Sequence, residues 1–242
     1  MGLIIGITPA NNGGGSPTPQ YDLEDLTLHF DGINNTGIGH DSGTNIRSWK
    51  DLIGNNDGLL ELDAKFNEDC VEFNGNSRVR FRGDITPEFT MSMVLSYKKV
   101  GTHPRFTGDP SFPTFCASSS SDWSLRYYLI GHDADFFPAT SIEEHVRYHL
   151  CVRYKGAGSK AELFVNGIKV AETKNSPPVP SSIVSAFLGG NNLTTGNTRF
   201  LTGYICNFML FGKAKSNESI ANNANVDFYR FIKNYNQQRR NQ

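Results

Sequence analysis

The stretch AELFVNGIKVAE, residues 161–172, decides the fold of this chain. Asn166-Gly167 lies at its centre, between two runs in which apolar and polar residues alternate. Asn-Gly in this setting is the strongest short-range signal for a β-hairpin, because a type I′ turn needs two residues that tolerate positive φ. The sequence therefore predicts a β-hairpin at this point.

The run VRYHLCVRY, residues 146–154, precedes the hairpin and alternates without a break. This pattern predicts an antiparallel strand with one face buried and the other in water. The face predicted to be buried holds Val146, Tyr148, Leu150, Val152 and Tyr154. The face predicted to meet water holds Arg147, His149, Cys151 and Arg153.

Short strands are predicted along most of the remaining chain, which makes it an all-β protein. They cover residues 26–30, 59–62, 70–73, 78–82, 89–100, 123–130, 183–188 and 204–211, with an irregular stretch at 101–122. After residue 215 the apolar spacing becomes helical. Ser216 is predicted to cap this short C-terminal helix, whose apolar face holds Ile220, Ala224, Phe228, Phe231 and Tyr235.

Three segments follow from this pattern. Residues 1–20 form an extended N-terminal arm with a Gly/Pro linker, residues 21–215 the β domain, and residues 216–242 the helix with a polar tail. The arm's apolar residues are Leu3, Ile4, Ile5 and Ile7. Two interpretations stay open: an unstructured start to the chain, or a tether that adds as a strand to the sheet edge of a partner.

Charge, apolar run lengths and cysteine spacing argue against nucleic-acid binding, membrane spanning and a zinc site. A net charge of −1 gives no general attraction for nucleic acid or an anionic membrane. No apolar run approaches the roughly 20 residues that span a bilayer, and the first seven residues lack the basic region of a signal peptide. The four cysteines have no zinc spacing, and we expect free thiols rather than disulfides.

Several motifs, in this order, resemble the laminin-G-like, concanavalin A-like lectin/glucanase superfamily. The resemblance covers roughly residues 26–235. Its motifs are FDGINN at 30–35, WKDLIGNNDG at 49–58, FNG at 73–75, LFVNG at 163–167, LGGN at 188–191 and FLTG at 200–203. The resemblance implies a two-sheet antiparallel jelly-roll sandwich, in agreement with the predicted strands.

The superfamily's glucanases carry closely spaced acidic residues on one strand, because glycoside hydrolysis needs two facing carboxylates. The predicted strands here lack that pattern. Glu61 and Asp63 share a face but end at a turn, and Glu143-Glu144 would point to opposite sides. We therefore expect a protein that is not an enzyme.

Four groups of residues are candidate sites. For Trp49 and Asp51 we favour a core aromatic and a turn carboxylate over a sugar platform. The resemblance makes Asp31, Asn55 and Asp57 candidate calcium ligands; the favoured alternative is ordinary Asn/Asp/Gly turn chemistry. The stripe Arg78, Arg80 and Arg82 either is solvated or internally paired, or meets an acidic glycan or protein. A glycan site, if present, is placed at Trp123, Tyr127, His132, Asp133, Asp135 and Asn191; the alternative is that the aromatic residues of this region pin a long loop over the core.

Two functions are expected from different classes. The first is a structural or attachment protein of a virus particle, specifically a bacteriophage, joined to other virion proteins by its arm and displaying a glycan-binding domain. The alternative is a carbohydrate-binding or adhesion module at a bacterial cell surface. A homo-oligomer would suit the first function, since several weak sites gain avidity together.

Overall fold

The computed structural model of the protein describes residues 19–36, 48–100, 103–108, 112–118, 124–128, 135–136, 141–177, 183–191 and 199–240. Its strands are β1 (Leu26–Asp31), β2 (Ser48–Trp49), β3 (Gly58–Leu62), β4 (Lys65–Asn67), β5 (Cys70–Asn74), β6 (Ser77–Asp84), β7 (Phe89–Tyr97), β8 (Arg105–Gly108), β9 (Thr114–Ala117), β10 (Leu125–Tyr128), β11 (Asp135–Phe136), β12 (Tyr148–Tyr154), β13 (Ala161–Val165), β14 (Ile168–Glu172), β15 (Ile183–Leu188) and β16 (Thr202–Phe211). The helices are α1 (Gly32–Thr36), α2 (Asn217–Asp227), a π-helical turn (Phe228–Ile232) and α3 (Lys233–Arg240).

The strands form two antiparallel sheets. Sheet A has the spatial order β14-β13-β12-β7-β16-β5-β4, and β1 also pairs with β16. Sheet B has the order β11-β10-β9-β8-β15-β6-β3-β2. Neighbours far apart in sequence, such as β7 with β16, give the crossed connections of a jelly roll. The predicted fold class, an all-β two-sheet sandwich with a short C-terminal helix, is confirmed.

The hairpin at Asn166-Gly167 is confirmed in detail. β13 and β14 pair antiparallel up to Val165 and Ile168, and φ is 50° at Asn166 and 83° at Gly167. Both values are positive, as a type I′ turn requires. The Asn166 side chain also accepts a hydrogen bond from the His149 N–H at 3.0 Å, which ties the turn to β12.

One core fills the space between the sheets. The predicted apolar faces of β7 and β12 contribute nearly half of sheet A's share, and Phe81, Phe106 and Phe115 contribute from sheet B. The Phe81 ring meets Phe30 edge-on at 5.6 Å, an arrangement favoured by the ring quadrupoles. Trp49 is fully buried and stacks on Phe30 at 5.4 Å, so the core interpretation of this tryptophan is confirmed.

The prediction that the second face of β12 meets water is wrong. Arg147, His149, Cys151 and Arg153 are all buried. The C-terminal helical segment, residues 217–240, covers this face of sheet A: Ile220 packs with Cys151 and Phe164, and Phe231 and Ile232 pack with Val94. Arg147 and His149 meet polar groups of this segment, the Phe231 carbonyl and Asp227, so β12 alternates although both of its faces are covered. Alternation alone does not reveal such a cover.

The segment begins where the sequence predicts. The Ser216 hydroxyl accepts a hydrogen bond from the Ser219 N–H at 3.1 Å, the bond of an N-cap. Ile220, Ala224 and Phe231 are buried as expected, whereas Phe228 and Tyr235 are half-buried. No helix in the described ranges is long and apolar enough to cross a membrane.

The stretch 101–122 is more regular than predicted, since its described parts contain β8 and β9. Phe106, Phe112 and Phe115 from this stretch are fully buried in the core. These strands are only four residues long and are separated by Pro and Gly, so they leave little alternation to detect. The alternative in which this region's aromatic residues pack onto the core is supported for these three phenylalanines.

The expectation of free thiols is wrong for two of the four cysteines. Cys70 and Cys206 form a disulfide, while Cys116 and Cys151 are free and buried. Antiparallel pairing places Val71 of β5 opposite Ile205 of β16. Cys70 and Cys206 are therefore adjacent across the sheet, a relationship that needs strand register rather than sequence spacing.

Candidate functional site

The outer face of sheet B carries a compact polar cluster, which we call the Glu61 face: Glu61, Arg78, Arg80, Phe187 and Asn191. Register builds it, because Glu61 of β3 lies opposite Arg78 of β6 and Phe187 of β15 lies opposite Arg80. Val79 and Phe81 of β6 enter the core, so the arginines between them point outward.

Glu61 bridges the two arginines. Its Oε2 accepts from Arg78 Nε at 2.7 Å, and its Oε1 accepts from Arg80 Nε at 2.5 Å. Partial burial acts to raise the pKa of Glu61, but hydrogen bonds from Arg80 and Arg78 outweigh it and lower that pKa below its usual range. Glu61 is therefore an ionised acceptor held in one orientation.

Arg78 is held from three sides. Besides Glu61, it donates from Nη1 to the backbone oxygen of Asn191 at 2.6 Å, and its guanidinium lies 4.5 Å from the centroid of the Phe187 ring. This stacking fixes the plane of the guanidinium. Arg80 instead has 48% of its side chain exposed, so it can present donors to a bound molecule.

The arginine stripe is partly paired internally. The single negative charge of Glu61 neutralises one of the two positive charges of Arg78 and Arg80. Arg82 is 63% exposed, and its Nε lies 4.0 Å from Asp84 Oδ1. The internally paired interpretation thus holds for Arg78 and Arg80. Arg82 lies on the same strand and face as Arg80 but outside the bridge.

Asn191 is buried, with a relative exposure of 1%. Neither Oδ1 nor Nδ2 has a hydrogen-bond partner among the described residues. A buried amide without partners is uncommon, because each unpaired polar group costs about 1–3 kcal/mol. This amide lies beside the Arg78 bridge and is a candidate for contact with a bound polar group.

Most of the glycan site predicted from sequence is not assembled by the described residues. Tyr127 is fully buried in the core, and its prediction as a surface ligand residue is corrected. Asp135 belongs to β11, but its side chain lies outside the described residues, as do Trp123, His132 and Asp133. Of the six, Asn191 belongs to the Glu61 face.

The loop after Trp49 has the turn chemistry expected of it. Asp51 accepts hydrogen bonds from the N–H groups of His29 at 3.2 Å, Ile53 at 3.1 Å and Asn56 at 3.3 Å. The preferred interpretation of Asp51 as a turn carboxylate is confirmed.

The calcium candidates use their oxygens locally. Asp31 is fully buried and accepts from the N–H groups of Ile33 and Asn34 at 2.9 Å each and from Arg230 at 2.5 Å. Asp57 accepts from Lys50 and from the Asp51 N–H, and Asn55 is exposed. A cation at these positions would compete with Arg230 and Lys50, and calcium binding here stays a prediction.

Sequence reasoning missed the role of Glu61 and Phe187 in this cluster. The alternating arginines of β6 were a usable signal, since they had to face one side of a sheet. The identity of their cross-strand neighbours depends on the β3–β6 and β15–β6 registers, and the connection from β6 to β15 spans about a hundred residues.

The family model for the concanavalin A-like lectin/glucanases superfamily matches residues 74–221, more than half of the chain. The chain belongs to this superfamily. The match contains four of the five residues of the Glu61 face, two on β6, one on β15 and Asn191. Glu61 itself lies before the matched range. Comparison with curated protein sequences finds no match.

Solved structures agree on the fold. The sialidase of Trypanosoma rangeli in complex with sialic acid matches with a TM-score of 0.62 and 15% identity, over 92% of this chain and 35% of the sialidase. Domain 4 of AbnA, a GH43 extracellular arabinanase from Geobacillus stearothermophilus, in complex with arabinotriose, matches with a TM-score of 0.58 and 15% identity, over 83% of this chain and 98% of that domain.

The receptor binding domain of botulinum neurotoxin C/D mosaic serotype matches with a TM-score of 0.58 and 12% identity, over 81% of this chain and 50% of that domain. Of the Trypanosoma rangeli sialidases, the chain spans about a third of the length. Identities this low establish a shared fold alone.

Proposed function

We propose that the chain is a non-enzymatic carbohydrate-binding module that binds glycans at the Glu61 face. The observation that carries this proposal is the Glu61 carboxylate held between Arg78 and Arg80 on the outer face of sheet B. Sugar hydroxyls need donors and acceptors side by side. The exposed Arg80 guanidinium supplies donors, and the remaining lone pairs of Glu61 supply acceptors.

Preorganisation supports the same conclusion. Glu61, Arg78 and Phe187 brace one another through an ion pair and a cation–π contact. A site whose side chains are already ordered loses little rotamer entropy when a ligand binds. The likeness to domain 4 of AbnA, whose structure holds arabinotriose, adds support because this chain covers 98% of that domain.

Glycoside hydrolysis fits the Glu61 face poorly. The reaction uses one carboxylic acid that keeps its proton and a second carboxylate across the bond. The two arginines lower the pKa of Glu61 and favour its ionised form. The acidic residue of the neighbouring strand β6, Asp84, lies beside Arg82 at the end of that strand. Binding without catalysis therefore matches these residues better.

A glycan array probed with the full chain tests this proposal. We expect binding that Arg80→Gln and Glu61→Gln each weaken by about tenfold, since each removes one charge-assisted hydrogen bond. Arg82→Gln is the matched control, because it removes the same charge from the same strand outside the bridge. Trp123→Ala tests the site placed there from sequence, and a repeat with chelator tests calcium.

The results separate the alternatives. Loss of binding in Trp123→Ala but not in Arg80→Gln would move the site away from the Glu61 face. Binding abolished by chelator would support calcium. An array without any bound glycan at high multivalency would contradict carbohydrate binding.

We also propose, as the finer assignment, that the domain is displayed on a virus particle through its N-terminal arm. Residues 19–22 support it, because α2 anchors them: the Gln20 carbonyl accepts from Asn222 at 2.7 Å, and the Asp22 N–H donates to Asn223 at 2.7 Å. An arm preceding these residues would leave the domain from a fixed point. Leu3, Ile4, Ile5 and Ile7 lie outside the described residues.

The disulfide bears on location. Disulfides persist at cell surfaces, in secreted proteins and on virions, so Cys70–Cys206 suits both the virion and the bacterial cell surface. Deletion of residues 1–18, which spares the contacts of Gln20, should leave the fold intact and prevent incorporation into particles. A truncated chain that assembles normally would contradict the tether. Sedimentation of both chains would test the homo-oligomer.

A further inference from the structure

An open cleft of about 290 Å³ lies on the opposite side of the molecule from the Glu61 face. His145, just before β12, and three residues of α3 line it: Tyr235, Gln238 and Arg239. Its size is at the lower end of the roughly 300–1,000 Å³ of small-molecule sites, which suits one sugar ring rather than a chain. The side chains offer one aromatic ring and three groups able to donate hydrogen bonds.

The wall formed by Tyr235 is fixed from behind. The Arg147 guanidinium lies 4.0 Å from the centroid of the Tyr235 ring and makes a bidentate pair with Asp69, at 2.7 and 2.9 Å. Asn236 bonds to both the backbone N–H and the carbonyl of Arg147, at 3.0 and 3.1 Å. Helix α3 is therefore locked to the start of β12, and the cleft is already formed.

The opposite wall carries backbone strain. His145 has φ of 62°, a left-handed conformation that is costly for a residue other than glycine. Its N–H donates to the Tyr97 carbonyl at 2.8 Å, which holds that conformation, and 49% of its side chain is exposed. Such strain is concentrated at functional positions, and here it directs an imidazole to the cleft.

The C-terminal helical wall of the cleft supplies the positive charge that would attract an anion. Residues 228–240 contain Arg230, Lys233, Arg239 and Arg240 but no acidic residue, and of these Arg230 is paired with Asp31. Arg239 is oriented by a 2.8 Å hydrogen bond to the Glu144 carbonyl, which uses one of its five N–H donors. The Glu144 carboxylate accepts from the Lys99 N–H at 3.2 Å and also lies 3.8 Å from His145 Nε2. Arg239 rather than His145 is therefore the group that can receive an anion.

We propose that this cleft binds one sugar residue that carries a carboxylate or sulfate. Arg239 receives the anionic group, His145 and Gln238 donate to hydroxyls, and the Tyr235 ring contacts the apolar face of the sugar. The site is independent of the Glu61 face, since it lies on different elements. A glycan with acidic residues would then bind both the cleft and the Glu61 face, and several copies of the domain would increase its avidity.

Titration of the full chain with sodium glucuronate, N-acetylglucosamine 6-sulfate and glucose, followed by amide NMR shifts, tests the proposal. Glucuronate and the sulfated sugar distinguish the two sources of negative charge. We expect at least one of them to shift the signals of Tyr235, Gln238 and Arg239 and to bind about tenfold more tightly than glucose. Arg239→Gln should remove that preference, whereas Lys233→Gln, on the same helix but outside the cleft, should keep it.

Two further variants keep the test independent of folding and of the Glu61 face. His145→Asn retains a residue that tolerates positive φ and should weaken anion binding by about threefold with an unchanged melting temperature. Arg80→Gln should leave anion binding unchanged. Equal binding of glucose and both anions, equal effects of Arg239→Gln and Lys233→Gln, or the absence of shifts at α3 would each overturn the proposal.

Discussion

His149 and Asp227 face each other across the interface between β12 and α2, with 3.7 Å between His149 Nε2 and Asp227 Oδ2 and neither side chain exposed. The other carboxylate oxygen, Oδ1, accepts from the Tyr21 hydroxyl at 2.5 Å and from Asn207 at 2.8 Å. The charged or titratable groups around the pair are His29, Asp31 and Arg230. Burial therefore disfavours the charged form of both groups, the carboxylate of Asp227 and the imidazolium of His149.

The two pKa values move in opposite directions. Burial raises the pKa of Asp227 to about 7 and lowers the pKa of His149 to about 4. Folded Asp227 keeps a proton that the unfolded chain releases near pH 3.9, so its contribution to stability is lost as pH rises to about 7. Folded His149 stays neutral where the unfolded chain is protonated, so its contribution is lost as pH falls from about 6.5.

Between about pH 4.5 and 6.5 these two contributions cancel, and single variants should expose them. Relative to wild type, the unfolding free energy of Asp227→Asn should rise with pH by about 1.4 kcal/mol per unit, and that of His149→Gln should fall by a similar amount. Urea unfolding at several pH values measures both slopes. The double variant should return to the wild-type slope. Parallel pH profiles for all four chains would contradict the pairing.

Gly167→Ala should destabilise the protein more than its backbone strain explains. A Cβ at Gly167 would lie 3.0 Å from Ala221 Cα and 3.0 Å from Ala224 Cβ, on α2. Gly158→Ala is the matched control, because φ is 80° there and nothing lies within 4 Å of the added Cβ. We expect a loss of about 1 kcal/mol for the control and about 2 kcal/mol or more for Gly167→Ala. Equal losses by chemical denaturation would argue against packing of α2 on the turn.

The chain denatured without reductant should have two reactive thiols, Cys116 and Cys151. Reduction should raise that count to four and lower the unfolding free energy by about 2–5 kcal/mol, because the disulfide closes a loop of 136 residues. Thiol titration and unfolding with and without reductant make these measurements. Cys116→Ala should preserve the effect of reductant, and four thiols in the oxidised chain would show the disulfide to be wrong.

Glu162→Gln should cost about 3 kcal/mol, since it leaves Arg153 buried with a neutral partner. Glu162 accepts from Arg153 at 2.7 Å and from Lys169 at 2.6 Å. Burial opposes ionisation, yet these hydrogen bonds lower the pKa of Glu162 to about 2. Glu172→Gln removes an exposed partner of Lys169 on β14 and should leave the unfolding free energy nearly unchanged. Similar losses for both, by urea unfolding, would contradict this assignment.

Local patterns predicted the parts of the fold that depend on local physics. Asn166-Gly167 gave the turn, Ser216 the helix start, and the alternation of β7 and β12 the core faces, because turn geometry, capping and side-chain direction are set within a few residues. These elements are confirmed.

Features that depend on register or on long-range cover were not predictable in the same way. The Cys70–Cys206 disulfide follows from β5–β16 pairing, and Glu61 reaches both arginines only because β3 pairs with β6. The burial of Arg147 and His149 depends on a helix that begins about seventy residues later. Periodicity states which residues share a face, but it does not state what that face contacts.

Helix α2 holds both the outer face of sheet A and the first described residues of the chain. Gln20, Tyr21 and Asp22 bond to Asn222, Asp227 and Asn223, respectively. Tyr21 also contacts sheet A directly, since Asn207 of β16 donates to its hydroxyl and its ring packs with Leu26, Met209 and Phe211. Tension applied at residue 19 would therefore reach α2 and sheet A together. Under mechanical load, the helical segment would share the force with the sheet that it covers.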